Sequence, residues 1–335
     1  MIKMGVTSQS YWLAAFVMLS WAQAALVVAD ANKDATRLRP ESTSSPELRG
    51  NLVIIGSDTM AGLVTVWAEH FQTEHQQVSV EIQALGSAAA PIALAEGAAT
   101  IGAMSRAMSA EERGYYRQRR GYLPTGVPVG EDELVVIVHP DNPLDYLTLK
   151  ELDAIFSETR NCGAAEAITS WLQINRLAGS TVSSLPVEPI SRTAISGSYG
   201  FFRAEALCEG DFAPRVVEEL GFSAIVDRVA SVPGAIAYVG ARFVTDRVKR
   251  IGLQRERLGA VSLLDSRGAY RLQRYLWLYF NKEPEKPLSG IECEFLRSAF
   301  SESGRSTLDA LGFTPFTRGD SLITSEGARD LDDCR

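Results

Sequence analysis

Short apolar runs alternate with amphipathic segments along the first part of the chain. Residues 52–55 form an apolar run typical of a buried strand, and Met60 to Phe71 carries apolar side chains at helical spacing. The alternation of apolar and polar residues over 78–82 predicts a second strand, which is followed by a helix at 88–96 and a third strand at 100–104. Strand, turn and helix in this order predict a parallel α/β sheet, in which ligands collect at the carboxyl ends of the strands.

The same kind of pattern continues in the second part of the chain. Weak periodicity over 161–186 predicts a long loop containing Trp171, and the aromatic residues of 270–280 are expected mainly to pack in the core, with a stacking platform as the alternative. The remaining predicted elements are strands at 133–138, 187–190 and 235–238, and helices that begin with the capping boxes at Ser109 and Thr148 or lie at 214–220, 223–230 and 288–300.

The length of 335 residues and the hydrophobic content of 46% predict two lobes rather than one. The strand at 133–138 is the expected crossing into the second lobe, and the chain is expected to return after the strand that ends near 240. We therefore predict a discontinuous first lobe of residues 50–133 and 241–335 and a second lobe of residues 134–240.

The first residues have the pattern of an export signal. Lys3 supplies a positive charge, Tyr11–Leu19 is apolar, and Ala22-Gln23-Ala24 fits a cleavage site. We predict a signal peptide at 1–24, a flexible leader at 25–49 and a periplasmic mature protein; a retained membrane anchor is the alternative.

The charge of the mature chain bears on its partners. Without Lys3 it has 32 Lys and Arg (33 minus one) against 41 Asp and Glu, a net charge of −9. Nucleic acid and anionic membranes are therefore not expected as partners. The three histidines are scattered and no two cysteines have the close spacing of metal ligands, so no metal site and no cofactor are expected.

Export places the four cysteines, Cys162, Cys208, Cys293 and Cys334, in an oxidising compartment. Four cysteines allow three pairings. Pairing Cys162 with Cys208 and Cys293 with Cys334 would keep each disulfide within one lobe, but the sequence leaves the choice open.

The segment Arg192-Thr193-Ala194-Ile195-Ser196-Gly197-Ser198 has the chemistry of an anion site. Ser196 and Ser198 supply hydroxyl groups, Gly197 allows close approach of the backbone, and the helix that follows directs free N–H groups to the same point. Arg192 adds donors that suit an oxyanion. Alone, the segment could equally be an ordinary Ser/Gly turn at the start of a helix.

Three more segments at predicted strand ends have similar chemistry, namely Gly56-Ser57-Asp58-Thr59-Met60, Leu85-Gly86-Ser87 and Gly102-Ala103-Met104-Ser105-Arg106. Together with the Arg192 segment, they resemble in content and order the motifs of the periplasmic phosphate-binding proteins of high-affinity phosphate ABC transporters. The resemblance covers roughly residues 51–315.

This resemblance implies the type II periplasmic-binding-protein fold, in which two lobes, each a mostly parallel sheet flanked by helices, close over a ligand in the cleft between them. The implied ligand is inorganic phosphate, the implied partner is a membrane ABC permease, and a monomer that binds without catalysis is expected. The phosphate-binding residues that it implies are Thr59, the Met60 backbone, Ser87, Arg192, Ser196, Gly197 and Ser198, and we predict that Ser57, Asp58 and Arg106 also belong to the site.

One position departs from the family pattern. Many members carry an aspartate that accepts the phosphate proton where this chain has Arg106. We expect Asp58 to supply that acceptor, and Arg106 to pair with Asp58 or with phosphate directly. A buried carboxylate of this kind would disfavour sulfate, which has no proton at neutral pH, by several kcal/mol.

Besides a surface or signalling protein that keeps the fold but not the transporter, two alternative functions remain open at this point. The first is binding of another oxyanion, such as sulfate or molybdate. The second is a secreted phosphatase-like hydrolase, although the sequence has no Gly-x-Ser-x-Gly elbow and no cluster of carboxylates and histidines.

Overall fold

The computed structural model describes residues 48–174, 179–182, 184–254 and 272–316. The strands are β1 (Gly50–Gly56), β2 (Val78–Gln83), β3 (Ile101–Met104), β4 (Thr125–Val138), β5 (Tyr146–Thr148), β6 (Glu188–Arg192), β7 (Val217–Glu219), β8 (Ala235–Gly240), β9 (Lys249–Gln254), β10 (Leu272–Phe280) and β11 (Thr314–Pro315). The helices are α1 (Ala61–Glu74), α2 (Ala89–Glu96), α3 (Ala110–Arg120), α4 (Leu149–Phe156), α5 (Gly197–Ala206), α6 (Phe222–Ser231), α7 (Gly290–Ala299) and α8 (Glu302–Ala310).

The main sheet has the strand order β2-β1-β3-β10-β4-β8-β6-β7. The outer strands are parallel within each end, since β1 pairs in parallel with β2 and β3, and β6 pairs in parallel with β7 and β8. Between these ends, β10 is antiparallel to β3 and β4, and β4 is antiparallel to β8. The two-lobed α/β fold is thus confirmed, with a mixed sheet because the strands that connect the lobes run against their neighbours.

The apolar core is divided in the way a two-lobed chain requires. One cluster of buried residues is drawn from 134 to 272, and it includes Phe156, Trp171, Phe202 and Tyr238. The other two clusters are drawn from 52 to 129 and from 276 to 313. The residues of β9 pack with the first of these clusters, and the bounds given above for the lobes remain predictions.

Most of the predicted strands and helices are confirmed, including both capping boxes. The predicted helix at 214–220 is wrong: this segment contains β7, which extends the sheet by pairing with β6. A short segment at a sheet edge adopts the strand conformation because the neighbouring strand offers hydrogen bonds that a local pattern does not reveal. Helix α8 was not predicted, and β4 begins at Thr125 rather than at 133.

Two aromatic segments serve the core. In β10, Phe280 is fully buried and Tyr279 is 7% exposed, so the prediction of core packing is confirmed for these two aromatics, whereas Tyr275 and Trp277 are only partly buried. In the long segment before β6, the Trp171 ring is buried and its Nε1–H donates to the Gly234 carbonyl at 3.1 Å. This bond fixes the segment to the turn that opens β8.

The described residues bear only in part on the predicted signal peptide and on its alternative, a membrane anchor. The predicted signal peptide and the predicted leader as far as residue 47 lie outside the described residues. Of the helices in the described ranges, none has both the length and the apolar character needed to cross a membrane.

A disulfide joins Cys162 to Cys208, with the two Cα atoms 5.4 Å apart. This confirms one of the pairings that the sequence left open, whereas Cys334 lies outside the described residues and its pairing remains a prediction. The bond closes a sequence separation of 46 residues, which restricts the unfolded chain.

We expect replacement of both Cys162 and Cys208 by Ser to lower the free energy of unfolding by about 2 to 4 kcal/mol, because a loop of this length becomes free in the unfolded state. Urea unfolding of the mature protein measures this loss. Because the variant lacks this disulfide, a reductant should cause no further loss of stability from this bond. An unchanged unfolding midpoint in the variant would contradict the expected stabilisation.

Candidate functional site

Three loops follow the parallel strands β1, β2 and β3 of the first lobe. In the sheet, β1 lies between β2 and β3. The Ser57 amide, directly after β1, donates to the Ala103 carbonyl of β3 at 2.7 Å. On the other side, the Gly86 amide after β2 donates to the Gly56 carbonyl at 2.8 Å. Gly56 has φ +150°, and a Cβ atom there would overlap the Ala103 carbonyl. The glycine therefore allows the first and third loops to lie against each other.

The fourth loop follows β6 in the second lobe. Arg192 ends the strand, Ser196 is the N-cap of α5, and its Oγ accepts a hydrogen bond from the Ser198 amide at 3.1 Å. Tyr238 supports the strand end from β8, since its hydroxyl is 2.7 Å from Ser191 Oγ and accepts from the Arg192 amide at 3.4 Å. Burial raises the pKa of Tyr238 above its ordinary value, so this hydroxyl stays protonated. The predicted strand, turn and helix start are all confirmed.

The start of α5 lies against the loops of the first lobe. The Ala88 amide donates to the Ile195 carbonyl at 3.2 Å. Ser87 Oγ lies 3.3 Å from Ser105 Oγ, and a Cβ atom at Gly197 would overlap both hydroxyl oxygens. The absence of a side chain at Gly197 is therefore what permits this close approach of the two lobes.

Arg192 connects the lobes by an ion pair. It is 3% exposed, and its Nη2 donates to Asp58 Oδ2 and also to the Leu220 carbonyl, the latter at 2.6 Å. The guanidinium carbon lies 4.9 Å from the centre of the Phe222 ring. A planar guanidinium can satisfy a carboxylate, a carbonyl and a ring face at once, and this requires Arg rather than Lys.

Arg106 has a different carboxylate partner from the one expected. Its Nη1 and Nη2 donate to the two oxygens of Glu112 at 2.7 and 2.6 Å. Of the two expected partners, Asp58 is therefore wrong, because Glu112 is fixed nearby as the capping-box residue of α3, and pairing with phosphate stays a prediction. The Nε atom faces the first turn of α5, at 2.8 Å from where a Cβ atom of Gly200 would lie.

Two buried charged residues near the site were missed in the sequence. Arg274 of β10 and Asp132 of β4 are directly opposite each other in the sheet register, and they are 3% and 6% exposed. Arg274 Nε and Nη2 donate to Asp132 Oδ2 at 2.9 and 2.6 Å, while Nη1 donates to Ser198 Oγ at 2.8 Å. A signal was present, since Arg274 stands between Leu272 and Leu276 on the inward face of its strand.

A fourth arginine reaches the first loop from the segment after β8. Arg242 Nη2 donates to the Thr59 carbonyl at 3.0 Å, and its guanidinium lies over the rings of Phe243 and Phe313. Burial lowers the pKa of Arg242 from its ordinary value, and attraction to Asp132 acts in the opposite direction.

Several polar atoms of these loops are buried and have no hydrogen-bond partner within the described part of the protein. They are Ser57 Oγ, Asp58 Oδ1, Thr59 Oγ1, Arg106 Nε and Arg192 Nε. Such atoms also occur elsewhere in the described residues, for example at Asn142, Asp153 and Arg215, but five of them belong to these loops, and a group of this kind suits a polar ligand.

The structure thus brings together the predicted residues from both lobes: Ser57, Asp58 and Thr59 after β1, Ser87 after β2, Arg106 after β3, and Arg192, Ser196, Gly197 and Ser198 after β6. Met60 differs from them in one respect. Its side chain is fully buried and its amide donates to the Ser57 carbonyl at 3.1 Å within the same turn. Across the described ranges, no group of three or more His, Cys, Asp or Glu side chains has an arrangement that could hold a metal ion.

The chain is similar to known proteins over most of its length. It is 40% identical to the Phosphate-binding protein PstS of Pseudomonas aeruginosa over 281 residues, which are 82% of this chain and 86% of the relative. An ABC-type phosphate transport receptor from Vibrio cholerae has a similar fold, with a TM-score of 0.61 and 22% identity over 78% of this chain and 99% of the other. A Clostridium perfringens substrate-binding protein solved with bound phosphate also has a TM-score of 0.61, with 23% identity over 80% of this chain and 100% of the other.

A family model described as the PBP superfamily domain matches residues 41–302. With the identity to PstS of Pseudomonas aeruginosa, this match shows that the chain belongs to the PBP superfamily and, within it, to the family of phosphate-binding proteins of ABC transporters.

Proposed function

We propose that this protein binds inorganic phosphate in the periplasm and presents it to a membrane ABC permease. The name of the 40% identical Pseudomonas aeruginosa relative supports phosphate as the ligand. The residues proposed to bind it are Ser57, Asp58, Thr59, Met60, Ser87, Arg106, Arg192, Ser196, Gly197 and Ser198.

The observation that carries this proposal is the group of buried polar atoms without partners. Arg106 Nε and Arg192 Nε can only donate, and the hydroxyls of Ser57 and Thr59 can donate as well. A ligand that satisfies several of these donors needs several acceptor oxygens. A tetrahedral oxyanion has this arrangement, and the donors come from both lobes.

Asp58 narrows the choice of oxyanion. Its Oδ2 is occupied by Arg192, but Oδ1 is buried and without a partner, and a carboxylate oxygen can only accept a hydrogen bond. Phosphate near neutral pH keeps a proton that it can donate to this atom, whereas sulfate would place an unprotonated oxygen against it. This contrast supports phosphate over sulfate.

The charges around the loops also favour an anion. Four arginines lie on the loops or donate to them, namely Arg106, Arg192, Arg242 and Arg274. Three carboxylates accompany them, namely Asp58, Glu112 and Asp132, which leaves a net charge of +1 (four minus three). Charge-assisted hydrogen bonds in such a buried place can supply the roughly −8 kcal/mol that a micromolar dissociation constant requires.

Closure of the two lobes is the mechanism that these positions support. With the lobes apart, an oxyanion would meet only half of its donors, so binding favours the closed form. The closed form of a monomer is then what a permease would recognise. In this proposal the cycle consists of binding and release, without a chemical reaction. Residues 1–24 are removed on export, and the lobes have the bounds predicted above.

We expect the mature protein to bind phosphate with a dissociation constant in the micromolar range or below, and Arg192→Ala to weaken binding at least 100-fold, because it removes a buried charged donor. Titration calorimetry of the ligand-free protein measures both. Arg247→Ala is the matched control, since Arg247 forms an exposed ion pair with Asp227. Tighter binding of sulfate than of phosphate by the wild-type protein would contradict the proposal.

Asp58→Asn is expected to weaken phosphate binding at least 10-fold more than sulfate binding, since only phosphate donates a proton to Asp58 Oδ1. Loss of the ion pair with Arg192 affects both anions, so the difference between them isolates the role as proton acceptor. Competition titrations with the two anions provide this difference. Equal losses for phosphate and sulfate would show that Asp58 only holds Arg192.

Gly197→Ala is expected to weaken phosphate binding by about 5-fold to 150-fold, because the added Cβ meets Ser87 Oγ and Ser105 Oγ and such overpacking costs about 1 to 3 kcal/mol. Gly114→Ala in α3 is the matched control, because no atom lies within 4 Å of its added Cβ. Phosphate titration of both variants tests the effect. Wild-type affinity in Gly197→Ala would mean that the lobes need not approach this closely.

A further inference from the structure

The buried pair of Asp132 and Arg274 has a direct connection to the proposed site. Arg274 directs two of its donors, Nε and Nη2, to the same oxygen of Asp132, and these bonds leave Nη1 facing away from the carboxylate. That remaining donor meets Ser198 Oγ at 2.8 Å. The guanidinium is thus held in one orientation by β4 while it reaches α5.

The contact with Arg274 restricts the direction in which the Ser198 hydroxyl can donate its own hydrogen bond. Ser198 is fully buried, and a hydroxyl that accepts a hydrogen bond from a charged donor has its own proton free to donate elsewhere. A donor that is charged also polarises the O–H bond and makes it a better donor in turn. Because Asp132 balances the charge of Arg274, this effect is local rather than a general attraction for anions.

We infer that Arg274, held by Asp132, is a positioning residue that fixes the Ser198 hydroxyl as a hydrogen-bond donor to the bound oxyanion. The inference rests on the proposed function. It assigns to two residues of the connecting strands β4 and β10 a part in the site that follows β6. Since β10 also pairs with β3, the Arg274 contact links α5 of the second lobe to a strand of the first.

A double-mutant cycle on the dissociation constant for phosphate tests this role. One variant combines Arg274→Gln with Asp132→Asn, which removes the pair without leaving a buried unpaired charge, and the other is Ser198→Ala. We expect the paired change to weaken phosphate binding about 10-fold when Ser198 is present and less than 2-fold in the Ser198→Ala background. A residue that acts only on the fold would give the same loss in both backgrounds, and such additive losses would overturn the inference.

The choice of anion supplies a second readout. The Ser198 hydroxyl would donate to an oxygen that phosphate and sulfate share, so the paired change should weaken both anions by the same factor, unlike Asp58→Asn. A loss confined to phosphate would overturn the inference. The matched control replaces both Arg250 and Glu133 by glutamine. These two residues form a more exposed ion pair, and Glu133 adjoins Asp132 on β4.

If the variant that combines Arg274→Gln with Asp132→Asn does not fold, Arg274→Lys tests the same role. A lysine keeps an ion pair with Asp132 but has one nitrogen, which cannot reproduce the fork that also reaches Ser198. We expect a folded protein with the same 10-fold loss, and wild-type affinity in Arg274→Lys would overturn the inference. A wild-type protein that binds no phosphate would refute the proposed function and this inference together, whereas additive losses in a protein that binds phosphate refute only the inference.

Discussion

Arginine side chains must be buried where the two lobes meet and must still keep their hydrogen bonds. A buried guanidinium without partners would cost several kcal/mol, so each one requires a carboxylate or carbonyl fixed at the right distance. The buried Arg192 has Asp58 and the Leu220 carbonyl, the buried Arg274 has Asp132, and the partly buried Arg106 has Glu112. The loops and strands around the site supply these partners.

The partners come from elements of different origin. Glu112 belongs to a helix cap, Asp58 to the loop after β1, and Asp132 to a strand that connects the lobes. Because each carboxylate lies on regular structure or directly beside it, the arginines are oriented without a ligand. In the proposed site, the donors that remain, Arg106 Nε and Arg192 Nε, would be oriented before the ligand arrives, which would lower the entropy lost on binding.

Close approach of backbones is the second requirement of this site. Gly56 lets the first loop pass the Ala103 carbonyl, and Gly197 leaves room for two serine hydroxyls. A Cβ atom at Gly86 would lie only 2.5 Å from the Ile195 carbonyl oxygen. A side chain at any of these positions would separate the elements. Gly86 and Gly197 therefore determine how nearly the lobes can meet, Gly56 sets the spacing of loops within the first lobe, and the serines around them supply polar groups where little space is left.

The sequence by itself determined the parallel strand units and the loops that carry the chemistry, because apolar periodicity and Ser/Gly/Arg segments at strand ends are local patterns. It could not show that 214–220 joins a sheet edge as β7, or that Arg106 pairs with Glu112 rather than with Asp58. The pairing of Asp132 with Arg274 joins residues 142 positions apart in the chain, and its contact with Ser198 spans 76. Only the tertiary structure decided these contacts, because strand register and the meeting of the lobes set which charges face each other.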